Sequence, residues 1–179
     1  MLKIKDSSTH VNQSTIRIHC TIEQVWKNIS KPGHLVLCHP FCKAHYDIKR
    51  DNKLLSDVIV YYNGLKLYRH FTDWHEQEGY SLLIGKGNYA SAKVIWKIRP
   101  IETAQTELSI RINLYPNTAL KNYPKYLRPL IGHLYFYPKM ATYIEAVTRG
   151  IKYYSETGIA VTKNQFGFNP LFSTRQVAQ

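Results

Sequence analysis

The chain has 179 residues, 44% of them hydrophobic, and a formal net charge of +12. That length suits one domain or a small pair, and that hydrophobic share supports a core rather than disorder. No run approaches the roughly 20 apolar residues of a membrane-crossing helix, and three cysteines are too few for a secreted disulfide framework.

In chain order, Thr15–Cys20 alternates apolar and polar residues and predicts a half-buried strand. Thr21 and Gln24 read as the N-cap and N3 of a capping box, and Ile22, Val25, Trp26 and Ile29 follow at helical spacing. Pro32-Gly33 ends that helix, and a second short one is expected through His34–Cys38. Strand-like runs follow at Ala44–Arg50, Leu54–Tyr62, Leu65–Trp74, Tyr80–Ile84, Tyr89–Arg99 and Gln105–Tyr115. Asn63-Gly64 between two of them is a hairpin signal of type I′. Ala92, Val94, Trp96 and Ile98 share one face, as do Leu108, Ile110, Ile112 and Leu114. A one-sided antiparallel sheet must bury that face. Leu134–Glu156 is the expected cover, because Tyr137, Met140, Ile144, Val147 and Ile151 form a helical stripe, with Gly158 as its stop. The stretch before it, Pro116–His133, is rich in Tyr, Pro and basic residues and is expected as a movable lid over a cavity mouth. Its cationic, amphipathic character also suits a transient contact with an anionic membrane surface.

The order strand, two short helices, six strands, long helix resembles the helix-grip architecture of the START-like (SRPBCC) superfamily. That group includes the birch pollen allergen and the polyketide cyclase/dehydrase and lipid-transport proteins. The likeness is carried by Ile16–Trp26, by His34-Leu35 and His39-Pro40-Phe41, and by Ile59–Gly64, Arg69 and Val94-Ile95-Trp96. It implies an α+β fold, a curved antiparallel sheet of about seven strands around the long C-terminal helix, with a hydrophobic cavity between them. It also implies a domain over residues 15–158, an N-terminal extension over 1–14 and a tail over 159–179. The expected function is binding or transport of a small hydrophobic ligand, lipid- or polyketide-like. The alternative is a cyclase- or dehydratase-like enzyme in the same cavity, and whether a reaction is catalysed stays open.

The residues expected to contact that ligand are Arg69, Phe71, Tyr62, Trp96, Ile112, Met140 and Ile144. Arg69 alternates with Leu65, Leu67, Phe71 and Asp73. If that face is inward, its guanidinium binds an acidic ligand or pairs with a structural carboxylate, from Asp73 or a neighbouring strand. His70 on the opposite face is the candidate general base. His34, Cys38, His39 and Cys42 carry the right atoms for zinc in a spacing that is not a standard knuckle, so no metal is expected. No Walker loop, GxSxG or HExxH motif occurs, and no cofactor is expected. There is no dense basic run and no nucleic-acid motif, which argues against a nucleic-acid partner. Residues 1–13 are polar, without the apolar stretch of a signal peptide, so the expected location is cytoplasmic.

Overall fold

The computed structural model describes residues 2–6, 9–48 and 56–175. Its elements are β1 (His10–Ile18), α1 (Ile22–Ser30), α2 (Leu35–Cys38), β2 (Cys42–Ile48), β3 (Ser56–Tyr61), β4 (Lys66–His75), β5 (Gly79–Lys86), β6 (Tyr89–Glu102), β7 (Gln105–Leu114), α3 (Pro116–Ala119), α4 (Arg128–Ile131) and α5 (Tyr137–Thr157). The expected strand ends at 49–50 and 54–55 lie outside the described residues. The seven strands form one antiparallel sheet in the order β1-β7-β6-β5-β4-β3-β2. Only the β1–β7 contact joins strands distant in sequence; the rest are neighbouring hairpins.

The inner face of the sheet is set by period-two alternation. Ile98 pairs with Leu108, Trp96 with Ile110 and Val94 with Ile112, and all six are buried. α5 lays Met140, Ile144, Val147 and Ile151 over this face, and at about 25 cal/mol per Å² of apolar surface that burial dominates the fold's stability. Gly150 lets α5 approach α2 closely, because a Cβ there would come within 2.3 Å of the Cys38 carbonyl oxygen. Gly158 ends α5 in the left-handed conformation at φ 70°, with its N–H bonded to the Tyr154 carbonyl. At α1, Thr21 caps as expected by accepting from Gln24 N, but the Gln24 side chain turns to Asn28 and leaves the capping box half made.

Several expectations are corrected. The β3–β4 turn is not type I′: of its Asn-Gly pair only Gly64 has positive φ, and Gly64 N bonds Tyr61 O, giving a type I turn followed by a left-handed glycine. β1 starts at His10, five residues before Thr15, and Lys3 adds a parallel bridge to Tyr89. A β-bulge between Phe71 and Asp73 shifts the β4–β5 register, so Asp73 pairs with Ser81 and leaves the Arg69 face. Trp74 takes the inner position and stacks on Tyr80 with ring centroids 5.1 Å apart. Pro116–His133 is broken into α3, a 3-10 turn at Lys125–Leu127, α4 and the start of a π-turn at Gly132–Phe136, as its prolines require. None of its residues lines the interior cavity described below.

Candidate functional site

Arg69 faces the interior and is 3% exposed. Its register partner on β3 is Asp57, which alternates inward with Ile59 and Tyr61. The Arg69 Nε lies 3.4 Å from Asp57 Oδ1, and Arg69 Nη1 lies 3.2 Å from His45 Nε2. His45 Nε2 is in turn 3.0 Å from Asp57 Oδ2. That one nitrogen cannot serve both neighbours at once, because the carboxylate needs a donor and the guanidinium an acceptor. Burial works against the Arg69 charge, but the Asp57 carboxylate together with Tyr80, Tyr61 and Tyr143 outweighs it and the guanidinium pKa is raised. So the carboxylate partner is Asp57, not Asp73, and the pair is wholly buried.

A second polar chain adjoins it. Phe41 N donates to His39 Nδ1 at 3.2 Å, so the His39 proton sits on Nε2 and is given to the Tyr143 hydroxyl at 3.0 Å. The Tyr143 and Tyr61 hydroxyls are 3.0 Å apart. Two hydroxyl hydrogens share one such bond, so one hydroxyl hydrogen is left without an acceptor among the described residues. Burial, and then the Arg69 charge, push His39 down to about 3, and burial pushes Tyr143 up to about 12. Both groups are therefore neutral at physiological pH.

His34 completes the cluster, with its ring edge-on to His45 at 5.4 Å. Its Nδ1 donates to the Lys31 carbonyl at 2.7 Å, leaving Nε2 as a bare lone pair. Burial, then Arg69 and His45, hold its pKa well below the ordinary histidine value. Four buried side-chain atoms here have no hydrogen-bond partner among the described residues: His34 Nε2, His45 Nδ1, Asp57 Oδ1 and Arg69 Nη2. Native interiors leave a few such atoms per hundred residues, and their gathering in one cluster marks it as the candidate site.

Of these four residues only Arg69 lines the interior cavity, and that cavity is small. Leu35, Ile59, Trp96, Ile112, Ile144 and Val147 enclose a cavity of about 50 Å³ with Arg69, His39, Tyr61 and Tyr143. That volume holds a few waters, whereas ligand pockets run to roughly 300 Å³ or more. The C-terminal segment helps to fill the interior. Phe172 is buried against Tyr143 at 4.2 Å and Tyr61 at 4.7 Å, and Asn169 ties its chain to the Lys139 carbonyl at 2.7 Å. A cleft of about 340 Å³ reaches the same cluster from outside, lined by His34, His45, Asp57, Phe71 and Trp74. A larger groove of about 590 Å³ carries Lys97, the exposed Arg99–Glu107 ion pair and Ser109, and none of the cluster residues.

Of the residues expected at the ligand, Arg69, Trp96, Ile112 and Ile144 meet at the cavity. Phe71 lines the cleft instead. Met140 is buried beside α5's stripe without lining either space. Tyr62 points away, because Tyr61 takes the inward position; the Lys163 ammonium lies over its ring at 5.3 Å. His70 faces outward and bonds Ser56 at 2.9 Å. Cys38 and Cys42 bond the His34 and Ala44 carbonyls, and burial raises both thiols to about 12, so neither presents a thiolate. No group of three metal-ligating side chains occurs among the described residues.

The architecture is a helix grip. No family model and no curated protein matches the sequence. Solved structures do match in shape. One is a conserved protein of unknown function from Enterococcus faecalis, with TM-score 0.61 and 12% identity over 90% of this chain and 79% of that one. Another is the Zhui aromatase/cyclase of Streptomyces sp. R1128, with TM-score 0.60 and 11% identity over 86% of this chain and all of that one. A third is the di-domain ARO/CYC StfQ of the steffimycin biosynthetic pathway, with TM-score 0.55 and 10% identity over 82% of this chain and 45% of that one. At such identities the likeness is one of fold.

Proposed function

We propose that the protein binds a small hydrophobic molecule bearing a carbonyl or carboxylate oxygen, held between the sheet and α5. The observation that supports this reading is the direction of the unmet hydrogen bonds at the cavity. Arg69 Nη2 and one of the Tyr61 and Tyr143 hydroxyl hydrogens are donors without acceptors, in a wall otherwise made of Leu, Ile, Val and Trp. Such a wall recognises apolar bulk by burial and one oxygen by charge-assisted hydrogen bonds. Ligand entry requires the aromatic filling around Phe172 to move, since the cavity is far below ligand size. A cyclase- or dehydratase-like activity is the second reading. The bare His34 Nε2, oriented by the Lys31 carbonyl, favours it, as does the likeness in fold to aromatase/cyclases.

The first reading is tested with a matched pair of probes, 1-naphthoate and 1-methylnaphthalene, titrated into the protein and its Arg69→Met variant. Naphthoate should lose about 1.5–3 kcal/mol of affinity in the variant, the worth of a hydrogen bond to a charged group, and methylnaphthalene almost none. Equal losses for both would mean that Arg69 serves structure alone.

A further inference from the structure

The end of the grip where β7 runs into α3 is basic. Exposed Lys66 and Lys86 flank the β3–β4 and β5–β6 turns, and antiparallel pairing brings those turns to the end where β7 runs into α3. Glu76, Glu78 and Glu102 sit at the β4–β5 and β6–β7 turns, at the other end. Between Glu107 and Glu145 the chain has no acidic residue at all, yet it carries Lys121, Lys125, Arg128 and Lys139. The acidic side chain in contact with this stretch, Asp6, is occupied by Thr118 N at 3.0 Å.

The two most exposed large hydrophobic side chains among the described residues lie in the same stretch. Tyr126 is 80% exposed, Leu134 74% and Leu130 55%. They recur every fourth residue along a helical run from Lys125 to Phe136, so they project from one side of it. Tyr123 and Tyr135 flank them, also exposed. The crest is braced rather than loose. Arg128 donates to the carbonyls of Tyr123, Lys121 and Asn117 at 3.0, 3.2 and 3.4 Å, and Leu120 beneath is buried. A soluble monomer rarely displays adjoining large apolar side chains on a rigid rim of one charge without a partner for them.

We propose that this crest docks the protein on an anionic phospholipid surface, with Tyr126, Leu130 and Leu134 entering the headgroup boundary and Lys121 and Lys125 held by the lipid phosphates. An amphipathic helical edge of this kind binds in the interface plane through apolar burial and lysine attraction together. No helix among the described residues is long and apolar enough to cross a membrane, so the contact is peripheral. Aliphatic Leu130 and Leu134 at the apex favour lipid over single-stranded nucleic acid, since they offer no ring for a base to stack on. This inference does not depend on the ligand reading, and its test uses the protein with no probe in the cavity.

Full-length protein is sedimented with vesicles of phosphatidylcholine mixed with phosphatidylglycerol, and with vesicles of phosphatidylcholine alone. Binding should require the anionic lipid and fall at high salt, which screens the lysines. Lys125→Gln should lower the partition coefficient about fivefold, the equivalent of about 1 kcal/mol for one basic side chain at such a surface. Leu130→Ser with Leu134→Ser should lower it at least about tenfold, with an unchanged melting temperature because both positions are exposed. Any of three results overturns the proposal: no sedimentation with the anionic vesicles, equal binding to the neutral ones, or binding that the leucine variant leaves intact. Tighter binding to a single-stranded oligonucleotide than to the vesicles would overturn it in favour of nucleic acid.

Discussion

The inside of the grip and the crest ahead of α5 use the same residue types under opposite conditions. Tyr61, Tyr80 and Tyr143 are buried, the first and last sharing a hydrogen bond between their hydroxyls and Tyr80 donating to the Ile29 carbonyl, and burial raises all three pKa values. Tyr123, Tyr126 and Tyr135 are exposed, and their rings face solvent. Arg69 is a buried cation fixed by Asp57, while Lys121 and Lys125 are exposed cations in a stretch without carboxylates. The difference teaches what burial does to a polar group. Inside, each polar atom must find one particular partner, because water is not there to replace it. Outside, water satisfies every group, so the charges act only as a field on whatever large anionic surface approaches.

The sharpest way to break this comparison is to remove one carboxylate from each environment. Asp57→Leu leaves Arg69 as an uncompensated buried cation and should cost about 3–5 kcal/mol. Glu107→Leu breaks the exposed Arg99–Glu107 bond of 2.6 Å and should cost no more than about 1 kcal/mol. Urea unfolding of both variants reads the difference, and similar losses would mean that the Arg69–Asp57 pair is not shielded from water.

A smaller effect follows from pH. His39 is neutral in the fold, with its pKa lowered from 6.5 to about 3, and His34 is lowered in the same direction. The unfolded chain takes up protons that the folded one refuses. Stability is therefore complete above about 6.5 and is lost as pH falls from there toward 3, by about 1.4 kcal/mol per pH unit for each fully titrating histidine. Glu107 and Glu156, lowered from 4.5, add loss of the same sign only at more acid pH. Between 6.5 and 4.5 the slope therefore reports the histidines, with His39 and His34 joined by the partly buried His10 and His70, which are lowered in the same direction, and His39→Gln should reduce it. An unchanged slope in that variant would mean that His39 is protonated in the fold.

Much of this was legible in the sequence, and what was not has identifiable causes. The inner faces of β6 and β7 and the stripe of α5 were readable, because each alternates or repeats without interruption. Arg69 was readable as sharing a face with Leu67 and Phe71, but which face of that strand turned inward was left open. Asp73 and Trp74 were assigned to the wrong faces because a one-residue bulge leaves no mark in the alternation yet inverts every position after it. Tyr61 and Tyr62 are identical residues side by side, and only the register with β4 decides which one faces in. Asp57 sits in step with Ile59 and Tyr61, so its place was recoverable. That it meets His45 and Arg69 is a product of strand order, which local pattern does not contain. The place of the 159–179 tail, where Phe172 packs against Tyr61 and Tyr143, depends on contacts across more than a hundred residues for the first ring.

Whether the buried donors receive a ligand oxygen is read by nuclear magnetic resonance of carboxyl-labelled 1-naphthoate bound to the protein. With Arg69 and a tyrosine hydroxyl donating to it, the bound carboxyl should stay ionised down to a pH at or below that of the free acid, despite its burial. A bound carboxyl that becomes protonated at a higher pH than the free acid would show an apolar pocket without those donors, and would contradict the account.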